Sequence, residues 1–151
     1  MTDDEIIARA ESLASRQSTL GELFGVTGEE LYGTASLALL LAAHGSMGEA
    51  RTLMDGLLAL SPGDGLLYTI YGEIAHLDGD KPKTSHLLRV SVEMGNLGPA
   101  ERIRRGELAY WARDFLSARS EIARMDTTDT DPLVKNRREK LVQKLGKVNG
   151  N

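Results

Sequence analysis

The sequence predicts an all-helical protein in which three helix pairs follow one another, with a capping helical segment at each end. The chain matches itself when it is shifted by about 34 residues, and the three matching segments begin at Leu31, Gly65 and Pro99. Turn-forming residues divide it into stretches whose apolar residues have the spacing of amphipathic helices. No stretch shows the alternation of apolar and polar residues that is typical of a strand. We expect the three pairs to stack as a short right-handed superhelix.

The predicted organisation is a single domain over residues 1–151, because a chain of this length buries one continuous core but is too short for two ordinary domains. Residues 1–30 form an N-terminal leader, residues 31–130 hold the three repeats, and residues 131–151 form a C-terminal capping helix and tail. Arrays of repeats need such terminal segments because the outermost repeats would otherwise expose an apolar face.

Small residues recur in each repeat at the two positions where its helices would cross, and a bulky apolar residue follows the second of them by four positions. Small side chains let two backbones approach closely, and the bulky residue fills the space between neighbouring repeats. An ordinary helical bundle is the alternative, but the period shared by all these features favours a repeat. The small residues are Ala38, Gly72, Gly106, Ala50, Thr84 and Ala118, and the bulky ones are Met54, Leu88 and Ile122.

The turn within each pair falls at Gly45 and Gly79 in the first two repeats and at Arg113–Asp114 in the third. Glycine suits a tight helix reversal, so we expect the third turn to be the least regular. Residues that cap or open a helix stand at the predicted helix starts: residues 61–64, Pro82, Pro99 and Asp131–Pro132.

Composition and charge restrict the classes of function. With 41% apolar and 26% charged residues the balance is that of a soluble globular protein, and no apolar run is long enough to span a bilayer. The acidic start lacks the features of a secretory signal and the chain has no cysteine, so we predict a cytoplasmic location.

The formal charge of −4 argues against a general nucleic-acid binder. Residues 1–30 hold seven acids against two bases and residues 131–151 six bases against two acids, which favours contact with a partner or a second subunit.

No motif indicates catalysis, a cofactor or a metal ion. The three histidines lack a second ligand at helical spacing, and no cysteine is present to complete a zinc site. The sequence contains neither a phosphate-binding glycine loop nor a nucleophile elbow. Two basic clusters, within residues 102–105 and 135–140, are interpreted as solvated helix faces, interleaved with carboxylates such as Glu101, Glu107 and Glu121.

The repeat period matches that of the tetratricopeptide repeat, and two short segments narrow the likeness further. Glu30-Leu31-Tyr32 opens the first repeat, and residues 45–50, GSMGEA, form its turn. Together with the leader and the overall length, these segments resemble the class II chaperones of bacterial type III secretion, which hold hydrophobic translocator proteins. The likeness continues more weakly through residues 68–72 and 106–109.

The resemblance implies a tetratricopeptide fold, a hydrophobic secreted protein as client, and a homodimer formed through the leader. The alternative for the apolar residues of the leader is that they pack on the first repeat. The residues that would form the dimer are Ile6, Ile7, Leu13, Leu20, Leu23 and Phe24.

Because stacked helix pairs curve, the first helix of every repeat lines one concave face, and the second, fifth, ninth and twelfth positions of each repeat point into it. We expect the rings of Tyr32 and Tyr110 to contact client side chains and their hydroxyls to meet the client backbone. Glu73 and Glu107 would disfavour acidic clients. The predicted peptide-binding groove consists of Tyr32, Ala35, Leu39, Ala42, Leu66, Thr69, Glu73, His76, Ala100, Ile103, Glu107 and Tyr110.

The predicted function is that of a non-catalytic chaperone that holds an exposed apolar segment of a secreted client, a type III translocator, and keeps it from aggregating without ATP. Two alternative functions would use the same groove. One is a general tetratricopeptide adaptor or scaffold, and the other is a secretion chaperone whose client is the needle subunit. An enzyme is a third class, for which the sequence offers no catalytic constellation.

Overall fold

Helices make up all the regular secondary structure of the described residues, which are 2–14, 19–95, 97–125 and 131–148 of this computed structural model. The second helices of the three pairs begin at Met47, Lys81 and Phe115, which are evenly spaced along the chain. The predicted all-helical fold of three tetratricopeptide-type pairs is thereby confirmed. In chain order the helices are α1 (Asp3–Ala14), α2 (Leu20–Leu23), α3 (Gly28–Ala43), α4 (Met47–Leu60), α5 (Gly65–Leu77), α6 (Lys81–Met94), α7 (Pro99–Trp111), α8 (Phe115–Arg124) and α9 (Pro132–Val148).

The turn inside each pair has the same geometry in all three repeats. Gly45, Gly79 and Arg113 have positive φ angles of 88°, 73° and 63°. In the third turn the backbone N–H of Asp114 donates to the carbonyl of Ala109 at 2.8 Å, and the corresponding bonds of the first and second turns are 2.8 Å and 3.0 Å long. Bonds of this kind satisfy the last carbonyls of a helix. The expectation that the third turn is the least regular is wrong, because Arg113 adopts the left-handed conformation that glycine adopts in the other two.

Two apolar clusters fill the interior. The first includes Met54 and spans α3 to α6, and the second includes Ile103 and spans α6 to α9. Close packing depends on the predicted small residues, since a Cβ atom on Gly72 would lie 2.8 Å from Leu108 Cδ2. The other small residues at the crossing positions are also buried: Ala38, Ala50, Thr84, Gly106 and Ala118.

A buried polar network joins the second helix pair to the third. Arg105 and Glu121 are each 2% exposed, and Arg105 Nη2 donates to Glu121 Oε1 at 2.7 Å. Arg105 Nη1 also donates to the backbone oxygen of Ser91 at 2.8 Å, and Ser91 Oγ lies 2.8 Å from Thr69 Oγ1. The expectation that Arg105 and Glu121 lie on solvated helix faces is wrong. Each charge is buried because the other neutralises it.

The terminal helices differ in how they are attached. Helix α9 packs on the third pair through Val134, Leu141 and Leu145, which are buried. Its start is capped by Asp131, whose Oδ1 accepts from the N–H of Leu133 at 2.9 Å. In α1, by contrast, residues 2–8 are exposed. No helix in the described part of the chain is both long and apolar enough to cross a membrane.

Candidate functional site

The first helices of the three pairs lie next to one another, with α5 packed against both α3 and α7. The side that they share is called the groove face below. Four predicted groove residues are buried, and the fifth position of the repeat is interior in all three pairs. The fold therefore turns these side chains toward neighbouring helices. Ala35, Ala42, Thr69 and Ile103 are buried, whereas Tyr32, Leu39, Leu66, Glu73, His76, Ala100, Glu107 and Tyr110 are exposed or half-buried.

The main cavity of the groove face lies between α5, α7 and α9. Its volume is about 540 Å³, in the range of cavities that take a few side chains of a ligand. It brings together three of the predicted residues, Glu73, His76 and Glu107, with residues that were not predicted. The full lining is Glu73, His76, Leu77, Arg104, Glu107, Leu108, Trp111 and Arg137.

Arginines neutralise both carboxylates of this cavity. Arg104 holds Glu73 in a two-point contact, with Nε–Oε1 at 2.5 Å and Nη2–Oε2 at 2.8 Å. The hydrogen bond to Glu73 raises the pKa of Arg104 above its ordinary value. Arg137 Nε donates to Glu107 Oε1 at 2.7 Å. The predicted repulsion of acidic clients by Glu73 and Glu107 loses its basis, because neither carboxylate carries an unbalanced charge.

Leu77 and Trp111 supply the apolar part of the cavity. They are 53% and 56% exposed, although their side chains are large and apolar. Both occupy the thirteenth position of their repeats, one residue beyond the last position that was predicted to face the groove. The sequence carried a usable signal, since an apolar residue ends each of these first helices next to the turn. Such side chains, exposed beside a cavity, are suited to contact a ligand.

Aromatic rings and lysines continue the cavity along α9. Trp111 and Tyr110 meet edge-to-face with ring centroids 5.9 Å apart, and Tyr110 lies 5.7 Å from Phe115. Lys144 Nζ is 5.1 Å from the Trp111 ring and 5.7 Å from the Tyr110 ring. One recess is lined by Lys140, Lys144 and the rings of Tyr110 and Trp111. Tyr110 is thus half-buried in an aromatic cluster, and Trp111 offers the more accessible ring.

Tyr32 lies in a second recess, of about 410 Å³, at the other end of the groove face. Its hydroxyl donates to Asp64 Oδ2 at 2.7 Å, and Asp64 also caps α5. Burial, together with this hydrogen bond, raises the pKa of Tyr32 to about 12. The hydroxyl that was predicted to meet a client backbone already has an acceptor within the chain, so the ring is the part of Tyr32 that remains available.

The predicted dimerisation residues are largely at the surface. Ile6, Ile7 and Phe24 are 48%, 55% and 67% exposed. Leu20 and Leu23 are half-buried in the short helix α2. The side chain of Leu13 lies outside what the structure describes. The exposed isoleucines leave an apolar stripe on α1 without a described partner.

Comparison with known proteins gives a fold likeness without a sequence match. No protein-family model and no curated protein sequence matches the chain. The type III secretion translocator chaperone SycD of Yersinia enterocolitica superimposes with a TM-score of 0.60 at 18% identity, over 85% of this chain and 97% of that one. A type III secretion complex from Aeromonas hydrophila gives 0.63 at 17% identity, over 95% and 96% of the two chains.

A third solved structure, the CopN-Scc3 complex, gives a TM-score of 0.56 at 13% identity, over 83% of this chain and 75% of that one. The three likenesses establish that the chain has the all-helical repeat fold of these proteins. They extend over most of the chain.

Proposed function

We propose that the protein is a non-catalytic, cytoplasmic secretion chaperone that holds an apolar segment of a secreted client in its groove. The observation that carries the proposal is the 540 Å³ cavity in which Leu77 and Trp111 stay exposed beside neutralised ion pairs. An exposed apolar segment of a client loses contact with water there and is kept from aggregating. No chemical step is needed for this action.

The ion pairs make the groove selective for apolar side chains. The carboxylates of Glu73 and Glu107 are bound by Arg104 and Arg137, so a client need not supply charges to satisfy them. Burial of apolar surface contributes about 25 cal/mol per Å², from which the cost of ordering the client is deducted. We therefore expect moderate affinity, concentrated in contacts with Trp111 and Leu77.

The fold likeness to a solved type III translocator chaperone supports a secreted translocator as the class of client. A general adaptor and a chaperone of the needle subunit would use the same groove. The identity of the bound protein distinguishes them, because each class predicts a different kind of partner.

The test is co-purification from the native cell with mass-spectrometric identification of what stays bound. We expect one secreted protein with an apolar segment, and about tenfold less of it with Leu77→Ala and Trp111→Ala, since groove anchors of this size carry most of the binding energy. Tyr32→Ala and Tyr110→Ala test the two positions chosen from the sequence.

Leu116→Ala and Leu133→Ala are matched controls, since Leu116 and Leu133 are 80% and 64% exposed but do not line the cavity. Equal loss of the client with these controls, at unchanged helical circular dichroism, would contradict groove binding. Recovery of a regulatory protein in place of a secreted one would favour the adaptor.

A further inference from the structure

The recesses of the groove face lie in a row along one side of α7. Glu101 lines the second recess, at one end of the groove face. Arg104 and Leu108 line the main cavity, and Trp111 lines both this cavity and a third recess against α9. Residues three or four positions apart lie on the same side of a helix, so these side chains follow one another along α7. From Glu101 to Trp111 the helix rises by about 15 Å, which an extended peptide covers with about five residues.

The two ends of this row carry charges of opposite sign. The second recess has two carboxylates, those of Asp64 and Glu101, and no basic residue among the described residues that line it. The third recess has two lysines, Lys140 and Lys144, in addition to an arginine and a glutamate that bind each other. The main cavity between them is neutral, because its carboxylates are bound by arginines. A client that follows the row therefore meets a negative end, an apolar middle and a positive end.

The positive end places its charge next to the most accessible ring of the groove. We call this end the cationic aromatic surface, and it consists of Tyr110, Trp111, Lys140 and Lys144. Both lysines are exposed, and neither forms an ion pair within the described ranges. Lys144 Nζ lies 5.1 Å from the Trp111 ring. The surface therefore favours a ligand that carries a negative charge directly beside an apolar group.

We propose that the client segment carries an acidic side chain, aspartate or glutamate, beside the apolar anchor that contacts Trp111, and that its carboxylate binds Lys140 and Lys144. This acidic preference rests on the proposed function and adds the charge that the client brings to the groove. A side chain next to an anchor on the Trp111 ring meets the ammonium group of Lys144, because ring and ammonium lie side by side. The preference is the opposite of the one predicted from the sequence, in which the groove disfavours acidic clients.

The negative end of the row determines the order of charges along the client. An acidic residue at that end would lie beside Asp64 and Glu101, which repel it. The acidic residue therefore stands on one side of the apolar anchor only. A nucleic acid fits the row less well than such a peptide, because its negative charge would continue past the second recess.

The test uses short random peptides displayed on phage and selected on the immobilised full-length protein. We expect a large apolar residue in the selected peptides, with aspartate or glutamate enriched about fivefold on one side of it, since two exposed ion pairs contribute about this much. A selected peptide is then compared with a version in which asparagine or glutamine replaces the acidic residue. Titrations followed by the fluorescence of Trp111, the single tryptophan of the chain, should show about fivefold weaker binding of the amide version. Added salt should remove the difference.

Charge reversal on α9 gives the decisive control. Lys140→Glu with Lys144→Glu should keep the apolar anchor and select lysine or arginine in place of the acidic residue. Lys140→Gln with Lys144→Gln, which introduces no new charge, should keep the anchor and abolish the charge preference. Lys135→Glu with Lys147→Glu makes the same charge change at exposed positions of α9 outside the surface, and should keep the acidic preference.

Three results would overturn the acidic preference and leave the proposed function intact. One is the selection of apolar anchors without an acidic neighbour. Another is the selection of acidic residues on both sides of the anchor. The third is an acidic preference that survives reversal of Lys140 and Lys144, or that is lost equally with the control pair. A selection without apolar anchors, or with anchors that Leu77→Ala and Trp111→Ala leave unchanged, would overturn the proposed function itself and the acidic preference with it.

Discussion

The two junctions between successive helix pairs have opposite chemistry at the same position of the repeat. At the junction of the first and second pairs, Leu57 closes an apolar cluster. Its counterpart one repeat later is Ser91, which is fully buried at the junction of the second and third pairs. There Ser91 Oγ donates to the carbonyl of Gly65 at 2.8 Å and its own carbonyl accepts from Arg105. The repeat thus fixes where a residue lies, and its surroundings decide whether that residue is apolar or polar.

The difference has an energetic consequence. Apolar junctions lose stability in proportion to the volume removed, whereas a polar junction depends on each donor having its acceptor. In the second junction the guanidinium of Arg105 contacts Ser91 and Glu121 at once, so α6, α7 and α8 share a buried charge pair. The half-buried Arg102 lies 3.6 Å from the other carboxylate oxygen of Glu121. We expect the second junction to be the more sensitive to the loss of one partner.

Removing one member of that pair should have the largest effect. Glu121→Ala leaves Arg105 buried without its counter-charge, and we expect the free energy of unfolding to fall by about 3–5 kcal/mol. Urea denaturation followed by circular dichroism measures this change. Arg105→Met combined with Glu121→Leu replaces both charges by apolar groups of similar size, and we expect it to restore most of the loss.

If the double variant is as unstable as Glu121→Ala, the two charges stabilise the protein through more than their neutralisation of each other. The contrast between the junctions would then not result from the need to pair buried charges. If Glu121→Ala costs less than about 1 kcal/mol, water reaches the guanidinium and the second junction is not dry.

The sequence predicted the pairs, the positions of their turns and the small crossing residues, because these follow from a period that every repeat shares. It did not predict the Arg105–Glu121 pair. Charged residues are usually exposed, and two residues 16 positions apart on different helices become partners only after α7 and α8 pack. Similarly, the position of Trp111 at the end of a first helix was a signal in the sequence, but its exposure also depends on how α9 covers the third pair, which the sequence does not show.

The fit at the second junction is tested by Gly72→Ala. The new Cβ would lie 2.8 Å from Leu108 Cδ2, so we expect a loss of about 1–3 kcal/mol from overpacking. Gly56→Ala is the matched control, because Gly56 is in the exposed interior of α4 and a Cβ there has open space. It should stabilise the protein by about 0.5–1 kcal/mol. Equal effects of the two substitutions in thermal denaturation would mean that α5 and α7 do not approach as closely as the structure shows.

The smallest effect is expected at the turn that distinguishes the third pair from the other two. Arg113 has a φ of 63°, a conformation that disfavours side chains and that Gly45 and Gly79 adopt without cost. Arg113→Gly should therefore raise the free energy of unfolding by about 1 kcal/mol, even though it removes the contact of the guanidinium with the Phe115 ring.

Arg113→Ala separates the contribution of the ring contact from that of backbone strain, because it loses the contact with Phe115 and keeps the strained φ. Urea denaturation of the three proteins should rank Arg113→Gly first and Arg113→Ala last. A glycine variant less stable than the native protein would show that the contact with Phe115 outweighs backbone strain, so that the third turn keeps its arginine for packing.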